Sequence, residues 1–175
     1  MELENKTIGI LLGPGFEELE FWVIYMRLKE AGATVKVIGP DKGASYVGKH
    51  GCMEAQAEYG SGEIPASRLD GLHIPGGWSP DKIRRDPGIL TLVKDLHKAR
   101  KIIGLICHAG LVGISAQIVK GKKATGSAGI KDDLVNAGAI WVDEAAFRDG
   151  NLVWGRVAKD IPDYCRVLMK ALSES

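Results

Sequence analysis

The chain has 175 residues, 45% of them hydrophobic, and a formal net charge of +1. This length and balance suit a single globular domain over residues 1–175, with enough apolar surface for a core, and do not suit a disordered chain. The 23 Lys and Arg are interspersed with 22 Asp and Glu, so we expect no basic face and no nucleic-acid partner.

The N-terminal segment, the apolar runs and the cysteines set the expected compartment. The segment MELENKT is polar and acidic, unlike a signal peptide, and no apolar run approaches the roughly 20 residues that span a bilayer. The three cysteines, Cys52, Cys107 and Cys165, lie at no metal-ligand spacing. We therefore expect a cytoplasmic protein with reduced thiols, no membrane partner and neither a metal nor a cofactor.

The first elements are a strand and a helix. Residues 6–13 form a nearly continuous apolar run closed by glycine and proline, which predicts a central strand covered on both faces. Residues 16–31 predict a helix that stops at Gly32, because apolar residues recur at i, i+3, i+4 and i+7. These residues are Leu19, Trp22, Val23 and Met26.

The same alternation continues to the end of the chain. Further strands are predicted at ATVKVIG, LDGLHIPGG, KIIGLIC and KKATGS, and helices at PGILTLVKDLHKAR, AGLVGISAQIVKG, GIKDDLVNAG and IPDYCRVLMKALSES. Residues 45–65 predict a small hairpin excursion, and Asp149-Gly150-Asn151 a hairpin turn. Alternating strands and helices favour parallel strands joined by right-handed crossovers. The fold class is therefore a three-layer α/β/α sandwich, flavodoxin-like, with a mostly parallel central sheet.

Cys107 and His108 lie where the apolar run KIIGLI gives way to small residues. In an open α/β sheet the carboxyl ends of the strands gather functional residues. Backbone N–H groups at a strand-to-helix turn favour a thiolate, which is the nucleophilic form of cysteine. A small hydrophobe that fills the strand end explains Cys107 equally well on periodicity alone.

Two other strand ends carry candidate residues. Gly76 and Gly77 leave room for a ligand and for backbone N–H groups that could stabilise an oxyanion, although Pro-Gly-Gly is also a common turn. Glu17 is a substrate-binding candidate that a position in the first helical turn also explains. Glu20 lies between Leu19 and a phenylalanine on an apolar helix, so burial should raise its pKa and suit it to proton transfer.

The motifs GFEELE, LDGLHIPGG, IIGLICHAG, AGIKDDLVNAGAIWVD and DGNLVWGR together resemble the ThiJ/PfpI superfamily, most closely its PfpI branch. By this resemblance, Cys107 matches the nucleophile, Glu20 the carboxyl that contacts it, and Gly76 and Gly77 the oxyanion glycines. His108 matches the histidine of the family's Cys-His pair. Asp81 matches a glutamate that orients this histidine from a neighbouring subunit, and is one methylene shorter.

The resemblance also implies activities and an assembly. Its members are described as intracellular cysteine peptidases, glutathione-independent glyoxalases and protein deglycases, and the subunit is expected to form a homodimer or a larger homo-oligomer. We expect an enzyme that converts small dicarbonyls such as methylglyoxal to hydroxy acids, with release of glycation adducts from proteins as a related activity. The alternatives are a peptidase acting on short peptides and a non-enzymatic redox sensor in which Cys107 is oxidised.

Overall fold

The computed structural model describes residues 2–175. Its elements follow the predicted alternation, with strands β1–β11 and helices α1–α6. The strands are β1 Thr7–Leu11, β2 Thr34–Gly39, β3 Ser45–Val47, β4 Glu54–Gln56, β5 Tyr59–Gly60, β6 Gly71–Ile74, β7 Ile102–Ile106, β8 Lys123–Ala124, β9 Ile140–Trp141, β10 Ala146–Asp149 and β11 Leu152–Gly155. The helices are α1 Glu18–Glu30, α2 Ser79–Ile83, α3 Pro87–Lys98, α4 Gly110–Ser115, α5 Lys131–Asn136 and α6 Ile161–Ser173.

The central sheet confirms the predicted fold class. Within residues 2–175 it has seven strands in the order β10-β11-β7-β6-β1-β2-β5. Every neighbouring pair is parallel except β10 and β11, which form the hairpin predicted at Asp149-Gly150-Asn151. The middle strand is β6, and β1 lies beside it. The sheet is thus a flavodoxin-like parallel sheet with one antiparallel edge strand.

Helices cover both faces of the sheet, and each face has its own apolar core. Helices α1 and α6 pack on one face, where Phe21, Leu28 and Leu168 are buried. Helices α3 and α4 pack on the other face, where Leu92 and Val112 are buried. Both faces of β7 are therefore covered, which explains why its sequence is apolar without alternation.

The apolar stripe used to predict α1 does not face the core. Leu19 is 57% exposed and Met26 is 58% exposed, while Phe21 and Ile24 on the opposite side are buried. The helix is apolar nearly all round, so its periodicity indicates a helix without showing which side packs on the sheet. The stripe correctly predicts a helix, although three of its four residues, Leu19, Val23 and Met26, lie on the exposed side.

One other expectation needs correction, and another is confirmed. The helix predicted over AGLVGISAQIVKG ends at Ser115, and Gln117 then adopts a left-handed φ of 59°, which an α-helix cannot continue through. The excursion expected at residues 45–65 is confirmed as the hairpin of β3 and β4, which pair in antiparallel register. No helix in the described part of the chain combines the length and apolar character that crossing a membrane requires.

Candidate active site

Cys107 lies on a strained turn directly after β7. Its φ is +60°, a left-handed conformation that costs a non-glycine residue roughly 1–2 kcal/mol. The turn is held from behind, because Ser127 N–H donates to the Cys107 carbonyl at 3.0 Å. A Cβ on Gly126 would come within 2.5 Å of that carbonyl oxygen, so only glycine permits this approach. Strain of this kind is typical of functional sites.

Glu20 reaches the same point from the first turn of α1. Its side chain is fully buried, and its Oε2 accepts a hydrogen bond from Gly76 N–H at 2.7 Å. Its carboxyl interacts with the Cys107 side chain, while Oε1 is buried without a hydrogen-bond partner of normal geometry. Burial is the largest cause that raises the pKa of Glu20, to about 7. The carboxyl is therefore poised to hold or release a proton near neutral pH.

The pKa of the Cys107 thiol is higher than the sequence-based expectation. Burial, followed by the charge of Glu20, raises its pKa to about 12, although the N–H groups of Gly77 and His108 act in the opposite direction. The expected lowering by a helix N-terminus is wrong, because a short 3₁₀ turn follows β7 and burial outweighs the backbone N–H groups. A proton on Glu20 removes its charge and adds a hydrogen-bond donor, so the thiolate forms when the pair's proton is on Glu20.

His108 is the second group at the sulfur. Its Nδ1 lies 3.3 Å from Cys107 Sγ. Burial and then the charge of Lys49 lower the pKa of His108, so the imidazole is neutral near pH 7. A neutral imidazole can accept a proton from one oxygen of a bound substrate and return it to another.

The N–H groups of the two candidate glycines have different partners. Gly77 has a φ of +76°, and a Cβ there would lie 2.4 Å from the Gly15 carbonyl oxygen. Its N–H faces the Cys107 sulfur, as does that of His108. Gly76 N–H is already donated to Glu20, so the expectation that both glycines offer N–H groups to a ligand is wrong for Gly76. Gly77 and His108 supply the two N–H groups nearest the nucleophile.

Glu17 caps α1 and belongs to an ion-pair network. It is buried, and its Oε2 lies 3.1 Å from Lys49 Nζ. Its charge also contributes to the raised pKa of Glu20. Glu18 bonds to both the backbone N–H and Nδ1 of His50, each at 3.0 Å. Neither Lys49 nor His50 was predicted as part of the site. The signal that could have identified them is the basic GKHG segment, which can pair with the acidic EELE segment.

Three of these groups are close enough to be tested as metal ligands. The ligand atoms of Glu17, Glu18 and His50 lie within 4.8 Å of one another. The Lys49 ammonium, 3.1 Å from Glu17 Oε2, already neutralises this carboxylate. Burial alone would lower the pKa of Lys49, but its hydrogen bond with Glu17 outweighs this effect and the pKa is raised. A protonated lysine at this point opposes a divalent cation, so the residues do not fit a metal.

Asp81 lies near the site without completing it within the chain. Its carboxylate pairs with Arg85 at 2.7 Å. A cavity of about 290 Å³ lies next to the neighbours of Cys107 and is lined by Gly77, Trp78, Asp81, Lys82, His108 and Leu111. The Trp78 side chain on its rim is 64% exposed. The role of Asp81 across a subunit boundary stays a prediction.

His73 has a structural role beside the site. His73 is fully buried, with Nδ1 2.8 Å from the Tyr164 hydroxyl and Nε2 2.9 Å from the Glu20 carbonyl oxygen. Burial lowers its pKa to about 4, so His73 stays neutral and holds the backbone of Glu20. Cys52 is exposed and Cys165 is half-buried.

The fold and site define a class: a flavodoxin-like α/β protein with a strained cysteine at the carboxyl end of a central strand and a buried carboxyl beside it. Residues 6–171 match the model of the DJ-1/PfpI family, and the chain belongs to that family.

Three similar proteins support this assignment. The chain is 34% identical over 157 residues to Deglycase PfpI of Pyrococcus furiosus, covering 90% of this chain and 93% of the relative. It is 35% identical over 171 residues to General stress protein 18 of Bacillus subtilis, covering 97% and 99%. A two-domain Anabaena variabilis protein with DJ-1/ThiJ/PfpI-like and ferritin-like domains superposes with a TM-score of 0.94 at 36% identity, covering 96% of this chain and 48% of that chain.

Proposed function

We propose that this protein is a glutathione-independent glyoxalase that converts methylglyoxal-type dicarbonyls to hydroxy acids. The observation that carries the proposal is the Cys107–Glu20 pair. A carboxyl with a pKa of about 7 interacts with a buried thiol, and the pair can exchange one proton without help from solvent. A reaction that moves a proton between adjacent carbons needs such a group next to its nucleophile.

The first half of the reaction forms and rearranges a covalent adduct. With the pair's proton on Glu20, the Cys107 thiolate adds to the aldehyde carbon, and Glu20 gives its proton to the resulting oxyanion. The N–H groups of Gly77 and His108 stabilise that oxygen before it is protonated. The Glu20 carboxylate then removes the proton from the former aldehyde carbon, which leaves an enediolate with its negative charge on the oxygen of the neighbouring carbon.

The second half restores the enzyme. Glu20 returns the proton to the neighbouring carbon, while the His108 imidazole carries the hydroxyl proton of the enediolate to its negatively charged oxygen. The product of this step is a thioester of Cys107 with a hydroxy acid. Water then cleaves the thioester, which releases lactate from methylglyoxal and returns the thiol.

The same site suits an early glycation adduct. Relatives carry the name deglycase, and the adduct of an aldehyde with an amine or thiol has an oxygen-bearing carbon like that of the hemithioacetal. The cavity beside Cys107 opens to solvent at the exposed Trp78, so a side chain on another molecule can approach. We propose deglycation as a second activity of the same cysteine.

We also propose that the chain forms a homodimer through the outward face of α1. Leu19, Val23 and Met26 are exposed on this helix, and Val47 and Met53 are exposed on the adjoining hairpin. Together they form a larger apolar surface than isolated exposed side chains give. Light scattering coupled to gel filtration tests this proposal, because Met26→Lys should then favour the monomer.

Lactate formation tests the enzymatic proposal. Purified protein mixed with methylglyoxal in the absence of glutathione should produce lactate, and Cys107→Ser should remove nearly all of it. Cys52→Ser is the matched control, because Cys52 is an exposed thiol and should leave turnover unchanged. Peptide cleavage without lactate would instead favour the peptidase, and oxidation of Cys107 without either activity would favour the sensor.

A further inference from the structure

A basic cavity lies near the amino end of β7, whereas the active site lies at its carboxyl end. Its volume is about 620 Å³, and its lining consists of His97, Lys98, Arg100, Lys122, Arg148, Gly150 and Asn151. Arg100 precedes β7, whereas Cys107 follows it. Five residues of strand at 3.3 Å each place the cavity about 16 Å from the nucleophile. The cavity is therefore separate from the catalytic machinery.

The charge of this cavity is not explained by the chain's composition. Its net charge is only +1, yet none of the residues that line the cavity is acidic. None of the ion pairs within residues 2–175 includes Lys98, Arg100 or Lys122. Arg148 is the exception, because Glu174 lies 3.2 Å from its guanidinium. Like charges held together without partners repel one another, which favours an anionic ligand.

Stabilisation of a helix end accounts for only part of this cluster. Lys98 lies in the last turn of α3, where a cation interacts well with the helix dipole. His97 lies in the same turn, but burial and then the charge of Lys122 lower its pKa and disfavour its charged form. Lys122 and Arg148 come from other elements and have no such role. The Arg148 guanidinium is also fixed in place, since its Nε donates to the Gly150 carbonyl at 2.8 Å.

Arg100 supplies an independent observation. It follows the C-cap of α3 with a φ of +60°, and its N–H donates to the His97 carbonyl at 3.0 Å. This position normally takes glycine, and a residue with a Cβ costs roughly 1–2 kcal/mol there. A strained arginine that lines a basic cavity is thus an exception to local preference, and together with the charge of the cavity it supports a functional role.

We propose that this cavity binds a small anion with two or more linked phosphate groups. A terminal phosphate group carries on the order of −1.5 to −2 charges near neutral pH, and every linked phosphate adds further negative charge, so such an anion matches several cations where a single phosphate matches fewer. Arginine and lysine donors are the usual partners of phosphate oxygens. The lining contains no Phe, Tyr or Trp side chain, and these large rings are the usual platforms for a base, so we expect recognition of the phosphate groups themselves.

Isothermal titration calorimetry with inorganic triphosphate at low ionic strength tests the proposal. Triphosphate should bind at least about tenfold more tightly than monophosphate or sulfate, since more charged hydrogen bonds form. Arg100→Gly should weaken triphosphate binding by about tenfold or more. Its melting temperature should be unchanged or higher, because glycine fits the left-handed position. Cys107→Ser should bind as the unmodified protein does.

Lys29→Gln is the matched control, because Lys29 is an exposed lysine at the C-terminal end of another helix, α1. It should bind triphosphate as the unmodified protein does. Equal losses in Arg100→Gly and Lys29→Gln would show only general attraction between charges and would overturn the proposal. Absence of triphosphate binding, or full binding by Arg100→Gly, would overturn it as well. Lactate formation in the same samples reports on the active site separately.

Discussion

Glu20→Gln tests two consequences of burying this carboxyl, its part in proton transfer and its effect on the stability of the fold. Glutamine has nearly the same shape, and its amide oxygen can accept the Gly76 N–H hydrogen bond that Glu20 Oε2 accepts at 2.7 Å. It cannot exchange a proton. We expect kcat for dicarbonyl turnover to fall by about 10²-fold or more, which is the usual contribution of a positioned general acid-base group, with a smaller change in KM.

The same substitution should change stability in a pH-dependent way. The pKa of Glu20 rises from 4.5 to about 7 on folding, which at 1.36 kcal/mol per pKa unit corresponds to about 3 kcal/mol. Below pH 4.5 both states hold the proton and folding is unaffected. As the pH rises to about 7 only the unfolded state releases it, so the carboxyl destabilises the fold progressively. Glutamine lacks this penalty.

Urea unfolding of the two proteins at pH 4.5 and pH 8 measures this effect. The stability of Glu20→Gln relative to the unmodified protein should increase by about 3 kcal/mol between these pH values. Thiol alkylation should also titrate at lower pH in the variant, because the Glu20 charge that raises the pKa of Cys107 is gone. A stability difference independent of pH would refute the buried carboxyl, and an unchanged alkylation profile would refute its coupling to Cys107.

Three further variants test the surroundings of this pair. Gly76→Ala should nearly abolish turnover, because its Cβ would lie 2.6 Å from both Glu20 Oε2 and the Cys107 Cβ; retained kcat would contradict this packing. Lys49→Met should raise the pH at which the thiol is alkylated, since it removes a charge that interacts with Cys107; an unshifted profile would refute that influence. His73→Leu combined with Tyr164→Phe should reduce the loss of stability on acidification from pH 6.5 to 4. The pKa of His73 is about 4 in the folded protein, so over this range only the unfolded state gains a proton at this histidine, which destabilises the fold. Equal urea midpoint losses in both proteins would contradict this origin.

The sequence predicts the position of Cys107 and the burial of Glu20 because the pattern for each lies within a single element. The apolar run of β7 followed by small residues places Cys107 at a strand end, and apolar neighbours on α1 correctly predict that Glu20 is buried. Both inferences need only the pattern within one element and the general topology of parallel sheets.

The features that sequence reasoning missed depend on contacts between distant segments. Lys49 reaches Glu17 from the hairpin excursion, and no periodicity connects those two positions. The orientation of α1 is set by competition between two apolar sides, which pattern alone cannot decide. The raised pKa of Cys107 depends on how deeply the turn is buried and on the charge of Glu20. The use of Gly76 N–H by Glu20 likewise follows only from three-dimensional contacts.

The fate of one hydrogen tests the central claim that Glu20 carries a proton between two carbons. Methylglyoxal is converted in heavy water, and the C2 position of the lactate is examined by proton NMR. A proton held on Glu20 exchanges with solvent during the life of the enediol, so the account predicts substantial deuterium at C2 and one dominant stereoisomer. Lactate with only protium at C2 would indicate a direct hydride shift and would contradict the role of Glu20.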